Sequence, residues 1–111
     1  MESLFEKREN VYTLDDEETT FLHICFIRRK KSPNIHSFAV VLTHQTEMGD
    51  KLIFRADGSE NERTHVHYFF QKPAQKEYQN RPIHSETIVH YAKLVRENWS
   101  WYVAQYKQNY I

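Results

Sequence analysis

The residues best suited to chemistry are His65 and His67, set either side of Val66 in the run Thr64-His65-Val66-His67-Tyr68-Phe69-Phe70. In an extended segment, side chains two apart project to one side, about 6.5–7 Å from each other. Both imidazoles then share one face, and Val66, Tyr68 and Phe70 share the other. Such a pair can act as general acid and base on a phosphodiester, because imidazole titrates near neutral pH. With a carboxylate from Asp57 or Glu62 it can ligate a metal ion. Protonated, it can bind an anion. It is also what two half-exposed histidines on a sheet surface look like. Asp57, Glu60, Glu62 and Arg63 lie in the polar run leading into the pair, and Arg55 lies on the strand before it. An acid, a base and a cation are therefore expected near one strand end, with His65, His67, Asp57, Arg55 and Arg63 as the catalytic set.

A second group of residues suits phosphate contacts. Lys72, Lys76 and Arg81 sit in the connection that follows, and His90, Lys93 and Arg96 recur at helical spacing beyond it. Tyr68, Tyr78 and Tyr91 are possible stacking surfaces for bases. The lone Cys25 lies in an apolar run, where a buried, inert thiol is expected. It excludes an internal disulfide and a cysteine-based zinc site within one chain.

The elements that position these residues follow from periodicity. Glu6–Leu14 reads as a first strand. Thr19–Arg29, with Thr20, Phe21, Leu22, Ile24, Phe26 and Ile27, reads as a central strand that is apolar on both faces. In His36–Thr46, Phe38, Val40 and Leu42 alternate with Ala39 and Val41. Lys51–Ala56 is a fourth strand, Asp57-Gly58 a turn signal, and Thr64–Gln71 a fifth strand. Short turns between successive strands give a meander. The period then changes. Ile88, Ala92, Val95, Trp99, Tyr102 and Tyr106 recur at spacings of four and three, which is one face of an α-helix running to about Gln108, with Ser85 as N-cap. The expectation is one α+β domain spanning 1–111, an antiparallel meander of about five strands packed against a long C-terminal helix.

Composition agrees with that expectation. The chain has 111 residues, including 7 Phe, 7 Tyr and 2 Trp, enough aromatic area for a sheet-plus-helix core. Lys and Arg number 15, as do Asp and Glu, so bulk charge does not coat a nucleic acid. The absence of an apolar leader after Met-Glu-Ser and of any run approaching a membrane span points to a cytoplasmic protein.

This order of meander strands, Asp57, His65-x-His67, a polar connection and an aromatic-rich C-terminal helix resembles the TumE-type toxins of bacterial and archaeal toxin–antitoxin pairs. Val66 departs from the basic residue expected between the histidines there, and the Asp57–Arg63 loop holds less glycine. The resemblance implies a toxin acting on RNA, neutralised by a cognate DNA-binding antitoxin. On that reading the activity is a metal-independent ribonuclease, without cofactor, in which the histidines share proton transfer, Asp57 orients one of them, and Arg55 or Arg63 stabilises the charge that develops on phosphorus. Two other readings stay open. One is a non-enzymatic interaction module with Trp101 and Tyr110 at an interface. The other is a metal site on His65, His67 and Asp57 or Glu62. An exposed sheet edge also leaves room for a homodimer.

Overall fold

The structure, a computed structural model, describes residues 4–111. These residues form strands β1 (Phe5–Thr13), β2 (Thr20–Arg29), β3 (Ile35–Thr46), β4 (Gly49–Ser59), β5 (His65–Tyr68) and β6 (Gln75–Tyr78), followed by helix α1 (Ser85–Tyr110). The strands pair antiparallel in chain order, so β1 and β6 are the two edges of one six-stranded sheet. The expected α+β meander with one C-terminal helix is the fold observed. No helix among the described residues is long and apolar enough to cross a membrane.

The alternation read from β3 decides the layering. Phe38, Val40 and Leu42 are buried, as are Leu22 on β2 and Ala56 on β4, which pair with Leu42 and Val40. A register shift between Leu42 and Thr43 lets both Ile53 and Phe54 be buried. Helix α1 covers this face with Ile88, Tyr91, Ala92, Val95, Tyr102 and Val103. Phe54, Tyr102 and Phe70 stack in series, with ring centroids 5.4 Å and 4.8 Å apart. The remaining members of the expected stripe, Trp99 and Tyr106, pack partly buried against the same core.

With one helix, only one face of the sheet is covered. The alternate residues of β2, such as Phe21, His23, Cys25 and Ile27, are half-buried on the open face rather than sandwiched. The expectation of a strand buried on both sides is corrected accordingly.

Four boundaries also differ from the sequence reading. Asp57-Gly58 is not a turn. Strand β4 continues through it, with Asp57 paired to Ala39 on one side and His65 on the other. Gly58 serves close approach instead: a Cβ there would meet Ile83 Cδ1 at 2.5 Å and Thr64 Cα at 3.1 Å. The fifth strand ends at Tyr68, and Phe69 and Phe70 turn away. A sixth strand, Gln75-Lys76-Glu77-Tyr78, occupies what reads as a polar connection. Finally, the helix N-cap is His84, whose Nδ1 accepts a hydrogen bond from the Glu86 amide at 3.1 Å.

Candidate active site

Pairing register carries the site onto the open face. Directly opposed residues of an antiparallel pair point the same way. Asp57 opposes His65, Arg55 opposes His67, and across the next ladder His65 opposes Tyr78 and His67 opposes Lys76. Val66 is buried on the helix side, so this whole block lies on the face the helix leaves free. The two imidazoles do share a side. Their centroids are 5.0 Å apart and their planes nearly perpendicular.

Their environments differ sharply. The His65 side chain is only 4 % exposed, and polar groups enclose it. Its Nε2 lies 2.7 Å from Asp57 Oδ1. Its Nδ1 donates to the Arg63 carbonyl at 3.0 Å, with the Glu62 carboxylate beyond at 3.6 Å. Both ring nitrogens face acceptors, and only a doubly protonated ring donates to both. Asp57 is braced in turn by Arg55, whose Nε donates to Oδ2 at 2.5 Å. His67 is half-buried and stacks on Phe69, centroids 5.2 Å apart. Burial, and then the charge of His65 beside it, holds the His67 ring below the usual histidine range, which favours its neutral form.

A cationic rim completes the block. Lys76 donates to Glu62 at 2.9 Å, and the Tyr78 hydroxyl donates to the same oxygen at 3.2 Å. That bond to Glu62 keeps the Lys76 ammonium above its usual range, and the bond from Lys76 keeps the Glu62 carboxyl below its own. The Arg63 guanidinium lies 4.8 Å from the Tyr78 ring centre. A hollow of about 240 Å³ opens beside Asp57, lined also by Arg55, Glu62, Ser59 and Cys25. Burial raises the Cys25 thiol above its ordinary value, so at neutral pH it lines the hollow as a protonated, poorly nucleophilic group.

The five residues expected to be catalytic are thus brought together, and Lys76 joins them through the unforeseen strand β6. The other expected phosphate contacts stand elsewhere. His90 and Lys93 are on α1, which packs on the opposite face of the sheet, and Lys93 pairs with Glu97 at 3.8 Å. Arg81 bears electrostatically on His90 and Tyr91. Arg96 lies 4.7 Å from the Tyr12 ring centre, and Lys72 lies 5.5 Å from that of Tyr110. Of the three tyrosines expected to stack on bases, Tyr91 is buried in the core and Tyr68 packs edge-on against Phe54. Tyr78 alone stands beside the histidines.

Asp57, His65 and His67 each offer a ligand atom, and these atoms lie within 4.8 Å of one another. Two imidazoles and a carboxylate suit a transition metal, and the Arg63 carbonyl on Nδ1 is the outer partner that a ligating histidine usually has. Comparison with protein-family models, with curated proteins and with solved structures gave no match.

Proposed function

We propose that this chain is an RNA-directed toxin that cleaves the phosphodiester backbone by acid–base chemistry without a metal ion, in the cytoplasm, and is neutralised by a cognate DNA-binding antitoxin. One observation carries the reading. A half-exposed imidazole whose environment favours its neutral form, His67, stands beside a buried imidazole clamped between a carboxylate and a backbone carbonyl. Two like groups with environments that diverge in this way suit separate proton-transfer and electrostatic roles.

In the step that follows, a neutral His67 nitrogen takes the proton of an RNA 2′-hydroxyl as that oxygen attacks the adjacent phosphorus. The bond from phosphorus to the 5′-oxygen breaks, and the leaving oxygen takes a proton from water. Arg55 and Lys76 offset charge on the non-bridging oxygens. His65 is too buried to reach the RNA. It acts through His67 as a positioning residue, itself held by Asp57. The products are a 2′,3′-cyclic phosphate and a 5′-hydroxyl.

Single-stranded RNA incubated with the protein in excess chelator should yield those ends. His67→Ala should slow cleavage by about 10²–10⁴-fold, the range for a lost general base. Unchanged cleavage by that variant would remove the assignment. The Asp57, His65 and His67 cluster favours a second reading, a metal-dependent site. Cleavage abolished by chelator, with about one equivalent of zinc or manganese in untagged protein, would select it.

A further inference from the structure

A second polar centre lies on the other face of the sheet, at the far end of β2 and β3. His44 follows Phe38, Val40 and Leu42 at the two-residue step, so it occupies a core-facing position and is only 8 % exposed. Thr20, its partner across the ladder, is fully buried. A relay fixes the ring. The Thr20 hydroxyl donates to Asp15 Oδ2 at 3.2 Å and stands 2.7 Å from His44 Nδ1. A hydroxyl that spends its proton on a carboxylate has only lone pairs for the imidazole. In that arrangement Nδ1 carries the ring proton, and burial, which holds the His44 ring below its ordinary range, favours the neutral form with Nε2 as a bare acceptor. Among the described residues, no hydrogen bond reaches Nε2. Asp15 is itself saturated, taking the amides of Thr19 and Thr20 at 2.9 Å and 3.0 Å and the Thr19 hydroxyl as well.

The ring forms part of the wall of two hollows, of about 820 Å³ and 540 Å³, both also lined by Lys107, Thr19 and Glu17. The larger carries Lys51 and a pair of tyrosines on the last turns of α1, Tyr106 and Tyr110, stacked with centroids 4.9 Å apart. A buried imidazole acceptor, an aromatic wall and two ammonium groups, set beside the carboxylates of Glu17 and Glu47, line one cavity of ligand size. The acceptor takes an N–H. The tyrosines take a planar ring. The lysines take an anion.

We propose that this cavity binds one nucleoside monophosphate unit, with its base against Tyr106 and Tyr110, a base N–H on His44 Nε2 and its phosphate between Lys51 and Lys107. The site shares no residue with the Asp57–His65–His67 centre and does not depend on the activity inferred there.

The test titrates the full chain with each of the four ribonucleoside 5′-monophosphates and, in parallel, with inorganic phosphate and an unpaired trinucleotide. Calorimetry should show saturable binding near one equivalent for at least one nucleotide and none of comparable strength for phosphate alone. A trinucleotide that shifts the His44 Nε2 resonance at lower concentration than the monomer identifies the occupant as an unpaired residue of a strand, and the converse identifies a free nucleotide. Lys107→Met should weaken binding about tenfold, the loss of one charge-assisted contact, and His67→Ala should leave it unchanged. Ring ¹⁵N spectra of the unmodified protein keep the test independent of variants that fail to fold. His44 should show a proton on Nδ1, and its Nε2 resonance should shift on saturation. No binding up to 5 mM (about −3 kcal/mol), an unmoved His44 signal, or binding lost in His67→Ala overturns the proposal.

Discussion

The side chain of His67 works beside an imidazole that cannot move away. His65 is enclosed by Asp57 Oδ1 at 2.7 Å and the Arg63 carbonyl at 3.0 Å, so its ring stays fixed beside its neighbour, and any charge it carries acts on His67. Burial and that charge lower His67. A base must be neutral to accept a proton, so activity should fall only as pH drops through a midpoint below 6.5, the ordinary histidine value. His65→Gln removes the charge. Its acid limb should therefore move to higher pH, toward 6.5, whatever happens to the maximal rate. A kcat/KM profile for the two proteins reads this directly, and coincident limbs would mean that His65 does not tune His67. At this scale much was legible in the sequence. The two-residue step placed both histidines on one face, and Arg55 and Arg63 fell within reach. The step carries no information on depth, so nothing in it separated the buried histidine from the half-exposed one. Nor did it reveal the His44 relay. Its one visible signal was a polar residue where the Phe38, Val40 and Leu42 alternation calls for an apolar one.

At the scale of elements, the pieces that sequence reasoning missed were those without an apolar period. Gln75-Lys76-Glu77-Tyr78 is exposed throughout, so no alternation marks it. It forms because β5 offers an unpaired edge four residues long. Asp57-Gly58 has the composition of a turn but is held extended, because Gly58 lets Thr64 and Ile83 approach the backbone. Gly58→Ala should therefore lower stability by about 1–3 kcal/mol, the usual range for overpacking, and should disturb Asp57 one residue away. A urea midpoint reads the first effect and the activity of the folded fraction the second. A fully stable Gly58→Ala protein would restore the turn reading. The helix, by contrast, was legible through its period, because Ile88, Ala92, Val95 and Tyr102 all face the sheet. Tyr102 bridges Phe54 and Phe70, and Tyr102→Ala should cost about 3–5 kcal/mol, as for a large aromatic lost from a core. A midpoint change under 1 kcal/mol would show that the stack does not hold the helix to the sheet.

Across the whole molecule, titratable groups on both layers give stability a two-step dependence on acid. His67 is lowered on the open face, His90 on the helix and His44 at the far end of the sheet, each chiefly by burial. In the unfolded chain these rings titrate near 6.5. Below that pH the unfolded chain binds protons that the folded one refuses, so stability is complete above 6.5 and declines as pH falls toward the lower folded values. Asp15 acts in a separate window. Burial disfavours its charge, but the bonds from Thr19 and Thr20 outweigh burial and hold the carboxyl at about 2, against an ordinary 3.8. Its contribution is complete above 3.8 and is lost as pH falls through 2. Glu6, bonded by Arg28, and Glu62, bonded by Lys76, are lowered in the same sense. Urea midpoints taken from pH 7.5 to 2.5 should therefore drop first below 6.5 and again below 4. His90→Gln should shrink the first drop alone, since that ring lies on the helix away from both polar centres. Asp15→Asn should lower stability at pH 7 by about 1.5 kcal/mol, the low end for hydrogen bonds to a charged group, and shrink the second drop, while loss of the charge that raises His44 deepens the first. A midpoint level between pH 7.5 and 5 would mean that the three rings keep their protons when the chain folds, and the neutral His67 on which the cleavage step depends would be lost with them.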